Sequence, residues 1–125
     1  MTEEVPGYAE EVHKLVAPLR NGNRSTAAVQ RSLLAVRLAP VLAVHRRILY
    51  GFENHLWNLV SDTMGERWRE LQSAALGLGG EGFERTCAAA LGLYGLAAEE
   101  VAPLLDGRQG AVVGRALGLA QSASL

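Results

Sequence analysis

The stretch RSLLAVRLAPVLAVHRRILYGFENHLW, residues 31–57, decides the fold. It lies inside a longer segment, Thr26 to Met64, that is apolar and helical in character for nearly forty residues and is interrupted only by Pro40 and Gly51. Apolar residues recur at spacings of three and four, the period of one face of a helix. Nothing alternates with the period of two that marks a half-buried strand. A proline inside a helix forfeits one backbone hydrogen bond and clashes with the preceding turn, at roughly 3 kcal/mol. The sequence therefore predicts a kink or break near Ala39 and Pro40, giving a long, kinked central helix pair.

Working outward, Val5, Tyr8, Val12, Leu15, Val16 and Leu19 predict a helix over about residues 5–20, with Pro6 suited to its first turn. "NGN" at 21–23 ends it, and Ser25 or Thr26 is expected to cap the next helix. Toward the C-terminus, Glu66 to Leu76 places Trp68, Leu71 and Ala75 on one side, and "GLGGEG" stops that helix. Phe83, Cys87, Leu91, Tyr94, Ala98, Val101 and Leu105 form a long periodic stripe. "DGRQG" reads as a loop, followed by a short helix through about Ala120. Gly92, Gly95, Gly114 and Gly118 fall inside helical patterns, where each costs about 1 kcal/mol relative to alanine unless helices cross closely there. The expected fold is all-α, a bundle of about five helices forming a single domain over residues 1–125.

About half of the 125 residues are apolar, enough to bury a core without metal or disulfide. The lone Cys87 has no partner for a disulfide or a zinc site and reads first as a small core hydrophobe, second as a nucleophile. The N-terminal "MTEEVPGYAEE" lacks the basic-then-apolar order of a secretion signal. No run approaches the roughly 18 uninterrupted apolar residues of a membrane span. A cytoplasmic protein without membrane attachment is the expectation. The net charge is −1 but unevenly spread: no acidic residue occurs between Glu11 and Glu53, where Lys14, Arg20, Arg24, Arg31, Arg37, Arg46 and Arg47 all fall. Clustered cations invite phosphate contacts, so nucleic-acid binding through segment 14–47 is one reading. A basic helix lying beside acidic neighbours is the favoured one.

Residues 45–58, HRRILYGFENHLWN, carry the densest chemistry. Read as one helix, His45, Leu49, Phe52, Leu56, Leu59 and Val60 form its oily side, with Arg46, Tyr50, Glu53 and Trp57 on a neighbouring stripe and Arg47, Asn54 and Asn58 on a third. A functional reading makes Glu53 a general base, His55 its partner, and Arg46 or Arg47 an anion clamp. Tyr50, Asn54 and Trp57 complete a ligand-binding surface, Trp57 as a flat wall. The plainer reading, a helix with one oily side, ranks ahead. His13, His45 and His55 lack metal-ligand spacing, so no metal is expected. No phosphate loop or nucleophile elbow occurs, and "GLGGEG" follows a helix where a dinucleotide site needs a strand, so no cofactor is expected.

Residues 31–57, then RWRELQSAALGLG and FERTCAAALGLYGLAAEEVAPLL, resemble the helical C-terminal half of bacterial nucleotidyltransferases of the aminoglycoside-resistance type. The arrangement is also similar to stand-alone HEPN domains that partner minimal nucleotidyltransferases. The resemblance covers about residues 26–105 and implies a helical bundle with a nucleotidyltransferase-type partner protein. The catalytic half of those enzymes, with its GS motif and paired aspartates, is absent from this sequence. HEPN ribonucleases carry an arginine followed by four to six residues and then a histidine. Here seven residues separate Arg47 from His55, and Ile48 replaces the usual polar neighbour, a departure from the ribonuclease pattern.

The function expected is a non-catalytic helical binding or accessory module. It self-associates as a homodimer, because the apolar content of Thr26 to Met64 exceeds what one side of a helix in a monomer of this size can bury. A small molecule or partner protein is its ligand. The alternatives are a HEPN-like ribonuclease or other acid–base enzyme using Arg47, Glu53 and His55, and nucleic-acid binding through segment 14–47.

Overall fold

The computed structural model describes the backbone of residues 4–47 and 53–123, and the side chains of 7–47 and 55–122. Among these residues the chain is all-helical. Six α-helices follow one another: α1 (Glu4–Arg20), α2 (Arg24–His45), α3 (Glu53–Met64), α4 (Glu66–Ala75), α5 (Phe83–Val101) and α6 (Gly107–Ala123), with a 3₁₀ turn at Ala102–Leu104.

The boundaries have local causes, and three of them differ from the sequence expectation. Gly22 takes φ of +77°, where a side chain is strained, and turns the chain out of α1. The cap of α2 is Asn23 rather than Ser25 or Thr26: its side-chain oxygen accepts the Thr26 backbone N–H at 3.3 Å. A carboxamide oxygen satisfies that orphan donor as a hydroxyl would. The "DGRQG" segment is not a plain loop but the start of a helix longer than expected. The Gln109 N–H donates to Asp106 Oδ1 at 2.7 Å while the Asp106 N–H donates to Gln109 Oε1 at 3.1 Å, a reciprocal cap of two orphan donors.

The third difference concerns the decisive stretch. Helix α2 runs from Arg24 to His45 through Pro40, with no division at Ala39. Pro40 has no N–H for the Val36 carbonyl, and the helix continues past that lost bond. The helix ends later, without proline or glycine. The Arg46 N–H still bonds the Leu42 carbonyl, the Arg47 N–H turns back to Val44, and Arg47 takes the left-handed φ of +56°. Such a residue usually closes a helix as glycine or asparagine. The single stripe expected from His45 to Val60 is therefore divided between α2 and α3. Leu49, Gly51 and Phe52 lie outside the described residues.

Helix α5 forms the centre, packing against α1, α2, α4 and α6. Its expected stripe of Cys87, Leu91, Tyr94, Ala98 and Val101 is buried, and so are Ala90, Leu93 and Ala97 on other sides. A helix apolar nearly all round belongs at the middle of a bundle. The surrounding helices each contribute one stripe: Val12, Leu15 and Val16 from α1, Leu34, Leu38 and Leu42 from α2, Leu56 and Val60 from α3, Trp68 and Ala75 from α4, Val113, Ala116 and Ala120 from α6. Gly92 serves close approach, because a Cβ there would stand 3.2 Å from the tip of Leu71 on α4. At Gly114 and Gly118 a Cβ would meet open space, so packing does not require glycine there.

Two windows, Arg24–His45 and Phe83–Leu104, are long and apolar enough to cross a membrane by length and composition; here 44% and 50% of them are buried within the bundle.

Tyr94 has no exposed surface, and Tyr94→Ala is expected to lower the unfolding free energy by about 3–5 kcal/mol. The urea midpoint measures it. A loss below about 1 kcal/mol would contradict the central placement of this helix.

Candidate functional site

His45, Arg46 and Arg47 stand at the C-terminal end of α2, and His55 and Trp57 on α3. Arg46 caps α2 and its guanidinium Nε is ion-paired with Glu100 near the end of α5; His45 Nε2 stands 3.6 Å from the same carboxylate oxygen. His45 and Glu100 are mostly buried there, with side chains 13% and 22% exposed. An Arg46 engaged in this way ties α2 to α5. Glu100 was not in the expected set. Its only sequence signal is the Glu99–Glu100 doublet ending an apolar stripe, 54 residues from Arg46.

Arg47 is exposed in the turn after α2, and His55 is exposed on α3. Tyr50 lies outside the described residues. Glu53 and Asn54 open α3, and their side chains likewise lie outside. Among the described residues of the expected set, Trp57 lines a concave surface. It is half-buried against the core and borders a cleft of about 270 Å³ between α3 and α4, together with Asn58, Ser61, Gln72, Leu76 and Leu78. Ser61 and Gln72 are buried polar residues, and the Ser61 hydroxyl donates to Gln72 Oε1 at 3.2 Å. Both were missed, although a visible signal existed: Gln72 follows Trp68 by four residues, a polar residue on an apolar face. A wider groove of about 650 Å³ between α4 and α5 is edged by Arg67, Glu70, Glu81 and Arg85, charges of both signs.

The basic segment is not a bare cationic stripe. Lys14 pairs with Glu10 and Glu11, and Arg24 with Glu84. Arg20 donates to Ser122 and Arg31 to Thr86. Arg24 also lies over the Phe83 ring, 4.3 Å from its centroid. Carboxylates of α5 meet two of the seven cations, Arg24 and Arg46. Among the described residues no group of three or more His, Cys, Asp or Glu side chains is arranged to hold a metal ion.

Cys87 is buried in the core, and burial pushes its thiol above the ordinary range. Arg31 and a hydrogen bond from Thr86 oppose that shift without reversing it. A thiol held neutral is a poor nucleophile. Burial likewise raises Tyr94 above the ordinary phenol range. No family model, no curated protein and no solved structure matches this chain.

Cys87 is expected to resist iodoacetamide at neutral pH in the folded chain and to react at the rate of a free thiol in denaturant; rapid alkylation without denaturant would contradict its burial. Both raised groups are neutral when folded and ionise more readily when unfolded. Their contribution is complete below the ordinary thiol range and shrinks as pH climbs through it and then through the phenol range. Urea midpoints should therefore fall with rising alkalinity, and Cys87→Ala should remove the earlier part of the fall. A wild-type profile flat through both ranges would show these groups to be uncoupled from folding.

Proposed function

We propose that this chain is a non-catalytic helical module that self-associates through the outer face of α2. The observation that carries the reading is an apolar stripe on the side of α2 turned away from the core. Val29, Leu33, Val36, Pro40 and Val44 follow one another at spacings of four, three, four and four. Val29, Val36 and Val44 are 58%, 47% and 57% exposed, and Leu33 and Pro40 are half-buried. The opposite side of the same helix is already in the core, so no rearrangement within the bundle can cover both.

The stripe spans about 22 Å of helix and has the three-and-four spacing of a seam between paired helices. A second copy supplies an identical apolar strip, and an isologous pair is the commonest closed arrangement. Arg37 borders the strip and carries no ion pair or side-chain hydrogen bond among the described residues; its aliphatic stem extends the apolar surface while its head reaches water. The net charge of −1 leaves little long-range repulsion between copies. The non-catalytic part of the reading is supported by Arg46, whose Nε pairs with Glu100 and ties α2 to α5, a structural use of the group.

Sedimentation equilibrium at micromolar to tens of micromolar concentration is expected to show a dimer. Val36→Glu places a charge in the seam without touching the core and should weaken dimerisation at least tenfold, about 1.4 kcal/mol, with unchanged helical circular dichroism. A wild-type monomer throughout that range, or a dimer indifferent to Val36→Glu, would overturn the reading. So would capture of wild type, but not Val36→Glu, by anionic lipid vesicles without any dimer in solution.

A further inference from the structure

The cleft between α3 and α4 holds a polar floor that the fold does not complete. Gln72 and Ser61 are each more than nine-tenths buried and both line the cleft. The Ser61 hydroxyl donates to Gln72 Oε1, and Gln72 Nε2 is buried with no acceptor. Exchanging the two ends of the amide does not repair this. Nε2 would then donate to Ser61, and Oε1 would become the group without a partner. Either way one amide atom on the floor needs a complementary atom from outside the chain, and buried polar groups are normally paired.

The walls restrict what that atom belongs to. Trp57 stands on one side, and Leu76 and Leu78, 46% and 74% exposed, form an apolar lip. Apolar walls around a few fixed polar groups are the usual build of a small-molecule site. Arg69 also borders the cleft, but its guanidinium bonds Asp62 at 2.6 Å and Glu66 at 3.0 Å, so it offers no spare charge to an anion. An uncharged ligand is favoured.

We propose that this cleft binds a small, planar, uncharged cyclic amide or imide. Such a ring presents a carbonyl oxygen beside an N–H. The carbonyl accepts from Gln72 Nε2 while the N–H donates to the free lone pairs of the Ser61 hydroxyl, and the ring face lies between Trp57 and the leucines. With the Gln72 amide reversed, the same two ligand atoms exchange partners, so the match survives either orientation. The cleft includes none of the α2 seam residues, and this inference stands independently of self-association.

The probes are uracil, 2-pyridone and 1,3-dimethyluracil, titrated to millimolar concentration into isotopically labelled protein while the Gln72 side-chain amide and Trp57 indole NMR signals are followed. Uracil and 2-pyridone should shift both signals saturably. 1,3-Dimethyluracil keeps the ring and loses its N–H groups, so it should bind at least tenfold more weakly. Gln72→Met should weaken uracil by a similar factor, and Ser61→Ala serves if that variant does not fold. Saturable shifts absent for uracil and 2-pyridone alike, equal affinity for the dimethylated ring, or shifts confined to residues outside α3 and α4 would each overturn the proposal, leaving the floor to water.

Discussion

The burial of α5 is the constraint on which the other elements depend. An apolar helix with buried residues on several sides cannot lie at a surface, so α1, α2, α4 and α6 each turn an apolar stripe toward it. Small residues let them approach, most plainly where Leu71 of α4 seats against Gly92. The same dry interior holds Cys87 and Tyr94 neutral, so two groups with chemical potential are converted to packing.

That arrangement explains the charge asymmetry. The acid-free segment lies largely on α2, and carboxylates of α5 meet it near both ends, Glu84 at Arg24 and Glu100 at Arg46. The Arg24–Glu84 pair is exposed and adds little stability. Both pairs orient α2 by disfavouring rotations that would separate the partners. With its inner side on α1 and α5, α2 keeps an uncovered outer strip of valines.

Much of the fold was legible because helical spacing is a local property. The stripes of α1, α4 and α5 were visible in the periodicity, and Trp68, Ala75, Leu91, Tyr94 and Val101 are buried as that spacing required. The end of α2 was not legible: Arg47 closes it in a left-handed conformation that arginine's sequence gives no sign of. Of the kink or break expected at Pro40, the break does not occur, since α2 continues through it to His45. The Asp106–Gln109 cap was written in the sequence but masked by flanking glycines that suggest a loop.

By itself the amino-acid sequence determined the helical class and the oily faces, and it placed the single thiol first among core residues, because these follow from spacing and composition within a few turns. Only the tertiary structure decided which charged groups meet and which polar groups are stranded. Arg46 finds Glu100 on a distant helix, and Gln72 reaches Ser61 and stops one partner short. Contacts between distant residues are set by how helices cross around α5, and the sum of those crossings is not encoded at any one position of the chain.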